Sequence, residues 1–542
     1  MGLLRSFEEE FPALVRVEVI GKSYEGREIP LVTVTNFDTG DAAEKPAFWC
    51  DGNIHATEVS ASAAVLNILH TLTSKYGTDK RITHALETRP FYLVPRVNPD
   101  GAEWALADVP RHIRSSTRPY PYDEDDPYGL ERRDMDGDGR ILQMRIPDPN
   151  GAWKVSEEEP RLMVRREPDE FEGNFYRLMP EGVFHNFDPL TVRLRRVKEG
   201  LDLNRNFPSS WRLESEQQGA GPYPTSEPEI RALVDAIASR PNICGAVTFH
   251  TFSGVLLRPP STKPDEEIPA EDLWTFDRIG QKGTEMTGYP AIGVHKEFRY
   301  HPQEVITGVF DDWYEHRGVY AWTTEIWSPQ RQAGITDYKY IDWFREHPFE
   351  HDRMLLKWSD EKLSGRGYVD WYEFDHPQLG RVELGGWDEV YAFRNPPPDY
   401  LESEISTFAG WIVWQALASP KLEVFKVEAT KVGDGTVIRF AVDNTGFLPT
   451  NITEHAVKAK LCRGVVGEIQ LGDGLSLLSG LLRQQGPQLA GRDRITAGGF
   501  GWMMQETSHR HVFEWTVKGK GCILLTAKHE RAGTVRHELT VE

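Results

Sequence analysis

Apolar and polar positions alternate over Val15-Arg16-Val17-Glu18-Val19-Ile20, and a second apolar run covers Ile29 to Val34. Gly21 to Arg27 between them is turn chemistry, so the pair predicts a β-hairpin. A short helix over Leu4–Phe11 is expected ahead of it. The period then changes. Pro46–Cys50 is a continuous apolar run of strand length, and Val59–Leu72 carries apolar residues at helical spacing. Phe91–Val97 reads as a further strand, closed by the turn Asn98-Pro99-Asp100-Gly101. From about Gly200, strand-like runs at 201–203, 243–249 and 319–324 alternate with helical patterning at 227–239, 273–287, 337–363 and 399–418. Such alternation predicts an α/β fold with a mixed, partly parallel sheet flanked by helices.

Two stretches depart from this pattern. Residues 102–200 are charged, Pro-rich and poorly periodic, which predicts a long acidic surface insertion without a core of its own inside a 1–418 unit. After Ser419-Pro420, short β-like runs at 424–428, 436–442, 455–462, near 500–517 and at 521–540 predict a C-terminal all-β sandwich over 419–542. The 542 residues suffice for two or three domains, and 39% hydrophobic content with 16 Trp permits a large core.

Composition narrows the function classes. No apolar run reaches the roughly 18 residues of a membrane span, so no membrane partner is expected. The net charge of −21 argues against nucleic acid, and any site for an anionic substrate must bring its own positive charge. Four Cys are too few and too scattered for a disulfide framework or a metal cluster. Met1–Pro12 is charged and lacks the apolar core of a signal peptide, so a cytoplasmic protein is expected.

His55 and Glu58 sit where the 46–50 strand hands over to a helix, a good place for a site. Their spacing alone does not discriminate, because His-x-x-Glu occurs at His55, His84, His301, His347 and His511. Context does more. His250 and Glu325 each close an apolar strand-like run. Two His and one Glu can hold a catalytic zinc with a position left open for water, and another carboxylate can serve as base toward that water. Arg114, Arg118 and Arg205 near strand ends suggest a grip on a carboxylate. Separately, Asp134-Met135-Asp136-Gly137-Asp138-Gly139-Arg140-Ile141 matches the first half of a calcium loop. Its twelfth position is Arg145 rather than Glu, so Asp123 to Asp126 would have to close it. Calcium is therefore a second candidate cofactor, with Asp134, Asp136 and Asp138 as ligands.

Over about residues 10–345 the chain resembles the zinc carboxypeptidase family, the metallopeptidases that include pancreatic carboxypeptidases A and B. The motifs are Ile20-Gly21-Lys22-Ser23-Tyr24-Glu25-Gly26-Arg27, Gly52-Asn53-Ile54-His55-Ala56-Thr57-Glu58, Asn98-Pro99-Asp100-Gly101, Asp202-Leu203-Asn204-Arg205-Asn206-Phe207, His250-Thr251-Phe252-Ser253 and Thr324-Glu325, in the family's order. The resemblance implies one Zn2+ held by His55, Glu58 and His250, with Asp202 orienting a zinc His. It implies Glu325 as general base, Asn204 and Arg205 on the substrate's terminal carboxylate, and Arg114 polarising the scissile carbonyl, with Arg111 as competitor. Tyr300 is the nearest counterpart of the family's mobile Tyr. The specificity position aligns near Asp311, which implies basic C-terminal side chains; a one-residue shift puts Phe310 there and implies apolar ones. No activation propeptide is expected. The partners so implied are peptide or protein C-termini. An amidase or deacylase acting on small acylated amino acids or cell-wall peptides would use the same metal, and a non-enzymatic binding module is a third reading. Intact Glu325 argues against the last.

Overall fold

The computed structural model describes residues 1–122, 128–301, 303–310, 312–494 and 507–542. Eight strands build the central sheet: β1 (Val15–Lys22), β2 (Glu28–Val34), β3 (Ala47–Gly52), β4 (Phe91–Val94), β5 (Ile243–Thr251), β6 (Val255–Arg258), β7 (Ala291–Gly293) and β8 (Tyr320–Ile326). They lie in the order β1-β2-β4-β3-β5-β8-β6-β7. The middle strands β4, β3, β5 and β8 run parallel, while β1–β2, β2–β4 and β6–β8 are antiparallel. Every residue of β3, β5 and β8 is buried. Strands covered on both faces are near-continuous apolar runs, as the sequence has them. Helices Val59–Ser74, Ala270–Thr287 and Phe408–Ala418 pack on this sheet. Register places the site: β5 and β8 pair His250 with Glu325, and β3 and β5 pair Gly52 with Phe249. Three parallel strands thus deliver their C-terminal ends to one place.

Two local expectations fail for the same reason, a side chain that captures a backbone N–H. Residues 201–203 are not a strand. Asp202 Oδ1 accepts from Asn204 N (2.9 Å) and starts a 3₁₀ turn, Leu203–Arg205. The 455–462 run is not β either, because Thr453 accepts from Ala456 N (3.0 Å) and caps a helix, Glu454–Lys458.

The 102–200 stretch does have a core. Its strands Gln143–Pro147, Trp153–Val155, Met163–Arg165 and Phe175–Pro180 join the hairpin Tyr368–His376/Gly380–Trp387 in a six-stranded sheet. Met144 and Met179 pack there with Leu130, Phe184, Val382 and Leu384, so two of the six buried residues of that core come from a hairpin some two hundred residues away. Periodicity within the stretch cannot reveal such sharing.

From Leu422 to Val541 two four-stranded antiparallel sheets form the C-terminal all-β region. Phe440, Phe513 and Trp515 of one sheet meet Ile469 and Leu525 of the other in a core of their own. This region is tied to the central sheet by polar contacts. Arg531 donates to Asn451 O (2.8 Å), Gly318 O (3.2 Å) and Arg317 O just ahead of β8. Asp272, fully buried, accepts from Glu454 N (2.6 Å), His455 N (2.9 Å) and the Tyr314 hydroxyl (2.9 Å). Among the described residues no helix is long and apolar enough to cross a membrane. All four Cys are free thiols, and Cys50 and Cys244 are buried.

One buried imidazole makes this region acid-sensitive. His529 Nδ1 accepts from Arg531 N (3.0 Å), which leaves Nε2–H facing Gln488 Oε1 (3.1 Å). Burial, and then the Arg531 charge, lower its pKa to about 3 from an ordinary 6.5. Below 6.5 the unfolded chain binds a proton that the folded chain refuses. The stabilisation is therefore complete above pH 6.5 and declines as pH falls toward 3, by about 1.4 kcal/mol per unit. The melting advantage of wild type over His529→Gln should shrink between pH 7 and pH 5. A constant difference would show that His529 is not held neutral.

Candidate active site

Local chemistry explains the turn after β3. Gly52 has no room for a side chain, since a Cβ would lie 2.7 Å from Ala61 O. Asn53 takes a positive φ of 60°, which Asn tolerates, and its Nδ2 donates to His55 O (2.8 Å) and Glu58 O (3.3 Å). The turn is braced from a second side. Asn98 donates to Ile54 O (3.2 Å) and Ser115 O (2.6 Å) while accepting from Gly101 N (2.9 Å). Asp100, fully buried, accepts from Ser23 Oγ, Glu25 N and Arg27 Nη1, each at 2.7 Å. The 21–27 hairpin turn and the 98–101 turn are thus one clamp around the His55 loop.

The polar groups converge in a cleft of about 500 Å³. His55 Nδ1 lies 2.8 Å from Glu58 Oε1, and His250 Nδ1 lies 3.1 Å from both Glu58 Oε2 and His55 Nδ1. All three side chains are buried, and their ligand atoms lie within 4.8 Å of one another. Two imidazole nitrogens facing each other can share only one proton, whereas a cation accepts both lone pairs and the carboxylate. The donor set of two imidazoles and a carboxylate fits zinc. On the far side of the ring, His55 Nε2 lies 3.2 Å from Asp202 Oδ1, an acceptor that leaves the Nδ1 lone pair facing Glu58 and His250.

Asp202 also gathers the arginines. Arg114 Nε donates to Asp202 Oδ2 (2.9 Å), Arg114 Nη1 lies 3.6 Å from Glu58 Oε1, and Arg205 Nη2 lies 3.7 Å from Asp202 Oδ2. Burial alone would raise the Asp202 pKa. The charges of Arg114, Arg205 and His55 outweigh burial and hold it well below the ordinary range. Glu58 behaves likewise, with burial overridden by His55 and His250. Glu325 goes the other way. It is 9% exposed, and burial, aided by the Glu58 charge, pushes it up to about 8.

A match to the family model for zinc carboxypeptidases covers residues 1–346, more than half of the chain. This chain belongs to the zinc carboxypeptidase family. Carboxypeptidase A2 of Rattus norvegicus is 26% identical over 279 residues, 51% of this chain and 48% of that protein, so the match spans about half of that relative's length. A Saccharomyces cerevisiae protein described as inactive metallocarboxypeptidase ECM14 is 35% identical over 94 residues, 17% of this chain and 22% of its own. A solved structure of thrombin activatable fibrinolysis inhibitor aligns with TM-score 0.39 and 19% identity over 60% of this chain and 64% of that one. A domain of unknown function matches residues 421–540.

Of the residues singled out from sequence, His55, Glu58, His250, Glu325, Arg114, Asn204, Arg205 and Tyr300 all line this cleft, with Asp202 behind them. The competitor Arg111 does not. It pairs with Glu199 (3.1 Å) and stacks on Trp104. Arg118 is bound to buried Glu227 (2.9 and 2.6 Å). Phe310 lines the cleft, whereas Asp311 lies outside the described residues. The calcium reading is not supported. Asp134 is half-buried, Asp136 and Asp138 are exposed residues, and all three accept from N–H groups of their own turn. Asp138 also pairs with Arg140 (2.5 Å), and Asp136 accepts from the Tyr372 hydroxyl. Arg145 at the twelfth position is committed to Glu383 (2.7 Å), and Asp123 to Asp126 lie outside the described residues.

Sequence reasoning missed the apolar end of the cleft. Leu257, Val294, Phe298, Ile306 and Val309 line it together with Phe310. Arg394 and Phe344 line the cleft as well. These residues come from separate loops and strand ends with no shared spacing, so no local pattern marks them. Asp202→Asn, which alters the acceptor at His55 Nε2, is expected to weaken zinc binding roughly 10- to 100-fold. Titration against a competing chelator measures this, and an unchanged affinity would show that His55 is oriented by other groups.

Proposed function

We propose that this chain is a zinc-dependent carboxypeptidase that removes one C-terminal residue, preferring large apolar side chains. The observation that carries the reading is one cleft holding a metal-fitting triad, a buried carboxylate beside it, two arginines and an apolar end. Exopeptidase action needs a grip on the free carboxylate. Arg205 supplies it from a fixed position, its Nη1 donating to Asn204 O (2.5 Å). Asn204 Oδ1 is buried with no hydrogen-bond partner, an acceptor that the N–H of a bound C-terminal residue can satisfy. The apolar end favours a hydrophobic C-terminal side chain over a basic one.

Zinc, when bound by His55, Glu58 and His250, supplies Lewis acidity to the water and the scissile carbonyl. Arg114, anchored on Asp202 through Nε, directs its remaining N–H groups to the carbonyl oxygen as charge develops there. Glu325 takes the proton of the attacking water and delivers it to the leaving amine as the C–N bond breaks. Tyr300, 50% exposed and close enough to feel the charges of Arg114 and Glu325, closes over the bound residue.

Glu325→Gln should keep its zinc and lose turnover by roughly 10²- to 10⁴-fold. Unchanged hydrolysis with full metal content would remove Glu325 from the mechanism. Peptides differing only in the last residue should be cut faster with Phe or Leu than with Lys, and C-terminal amidation should abolish cleavage. Products read by mass decide this: release of internal fragments alone would sink the exopeptidase reading, and fastest release of Lys would overturn the apolar pocket.

A further inference from the structure

Beside the catalytic cleft lies a cavity of about 540 Å³, about as large as the cleft itself. The six-stranded sheet supplies Gln143, Leu178, Met179, Pro180 and Trp387 to its wall. Segments 343–347 and 389–394 add Trp343, Phe344, Phe393 and Arg394. Aromatic rings run through it as a ladder. Phe344 meets Phe252 with centroids 5.4 Å apart, Phe252 meets Phe393 at 6.4 Å, and Phe393 meets Trp387 at 5.1 Å, each edge to face. The ladder starts on two residues of the cleft and ends on the six-stranded sheet. Phe344, at its start, is 47% exposed. The charged side chains of this wall face one another. Arg394 Nε donates to Glu389 Oε1 (3.1 Å), Arg132 lies 4.0 Å from Glu389, and His347 lies 3.1 Å from Asp352. Burial lowers the His112 pKa, which keeps that ring neutral at pH 7. What is left to a ligand is ring surface and aliphatic groups, a lining that suits apolar side chains.

Its junction with the cleft says which ligand. The two share Phe252, Phe344 and Arg394, and Phe252 follows His250 by two positions. None of the residues at the apolar end of the cleft, from Leu257 to Phe310, lines the second cavity. A substrate with its carboxylate on Arg205 and its last side chain in the apolar end therefore has this cavity open to its preceding residues. We propose that the cavity binds large apolar side chains of the substrate peptide a few residues upstream of the cleaved bond. The six-stranded sheet is then a wall for substrate recognition, and C-terminal tails with an apolar upstream stretch are selected over polar ones. This rests on the reading that the cleft takes a peptide C-terminus.

Peptides with the same C-terminal Phe and a three-residue upstream block of Leu, Gln or Glu test it on the zinc-loaded full chain. The Leu peptide should exceed the other two in kcat/KM by roughly tenfold, through KM, the share one well-buried apolar side chain can supply. Added salt should leave that advantage in place, as burial of apolar surface is not screened. Gln143 is exposed and Leu178 half-buried, so both can be replaced without opening a core. Gln143→Trp, which fills the cavity, and Leu178→Lys, which charges it, should each erase the advantage while leaving turnover of a blocked dipeptide unchanged. Fluorescence anisotropy of the same peptides with amidated C-termini reads the cavity without hydrolysis, so a dead cleft and an unselective cavity give different results. Equal binding and equal KM for the Leu and Gln peptides, or a Leu advantage that survives both substitutions, would overturn the proposal.

Discussion

One buried carboxylate sets the geometry of the cleft. Asp202 accepts from the Asn204 backbone and faces His55 Nε2 with one oxygen, and takes Arg114 with the other, with Arg205 close behind. In the proposed mechanism these neighbours are a metal ligand, the carbonyl-polarising cation and the carboxylate grip. Each would otherwise move on its own loop. A buried anion tolerates its desolvation only with such partners, and two arginines this close to each other need such an anion. The interaction that keeps Asp202 ionised is the one that fixes three roles at once.

The sheet supplies the rest of the rigidity. The parallel register sets His250 beside Glu325, so the proposed metal ligand and the proposed base come from paired positions with no loop between them. The His55 turn is the irregular part, and it carries the bracing: Asn53 from within, Asn98 from beside, and Asp100 tying in the 21–27 turn. Several motif residues distant from the reacting atoms are explained as scaffold.

The strands and motif residues of the central sheet were legible because burial on both faces writes a continuous apolar run, and because His55, His250 and Glu325 sit where such runs stop. Local sequence failed where one side chain redirected the backbone, as at Asp202 and Thr453. It also failed where a surface is assembled from distant pieces. The small core joining Met144 and Met179 to Val382 and Leu384 has no periodic signature in either half. The apolar end of the cleft draws on residues from 257 to 341, each an ordinary core residue when read alone. The acidic loop at 134–138 misled for the opposite reason. Alternating Asp and Gly suit a calcium loop and a self-capped turn equally well, and the turn uses up the carboxylates.

The seam between the C-terminal sheets and the central sheet has a thermodynamic consequence. Arg531 closes on the carbonyls that lead into β8, and Asp272 receives the first turn of the Glu454–Lys458 helix. Strand β8 carries Glu325 one residue before its end. Separating the two regions would exchange these bonds for bonds to water, at a net cost of about 0.5–1.5 kcal/mol for each neutral bond and about 1.5–3 kcal/mol where a charged group takes part. The sandwich is therefore linked to the cleft through shared stability. A ligand that binds only the folded cleft would raise the resistance of the distant β-sheets to denaturant or protease as well, without touching them.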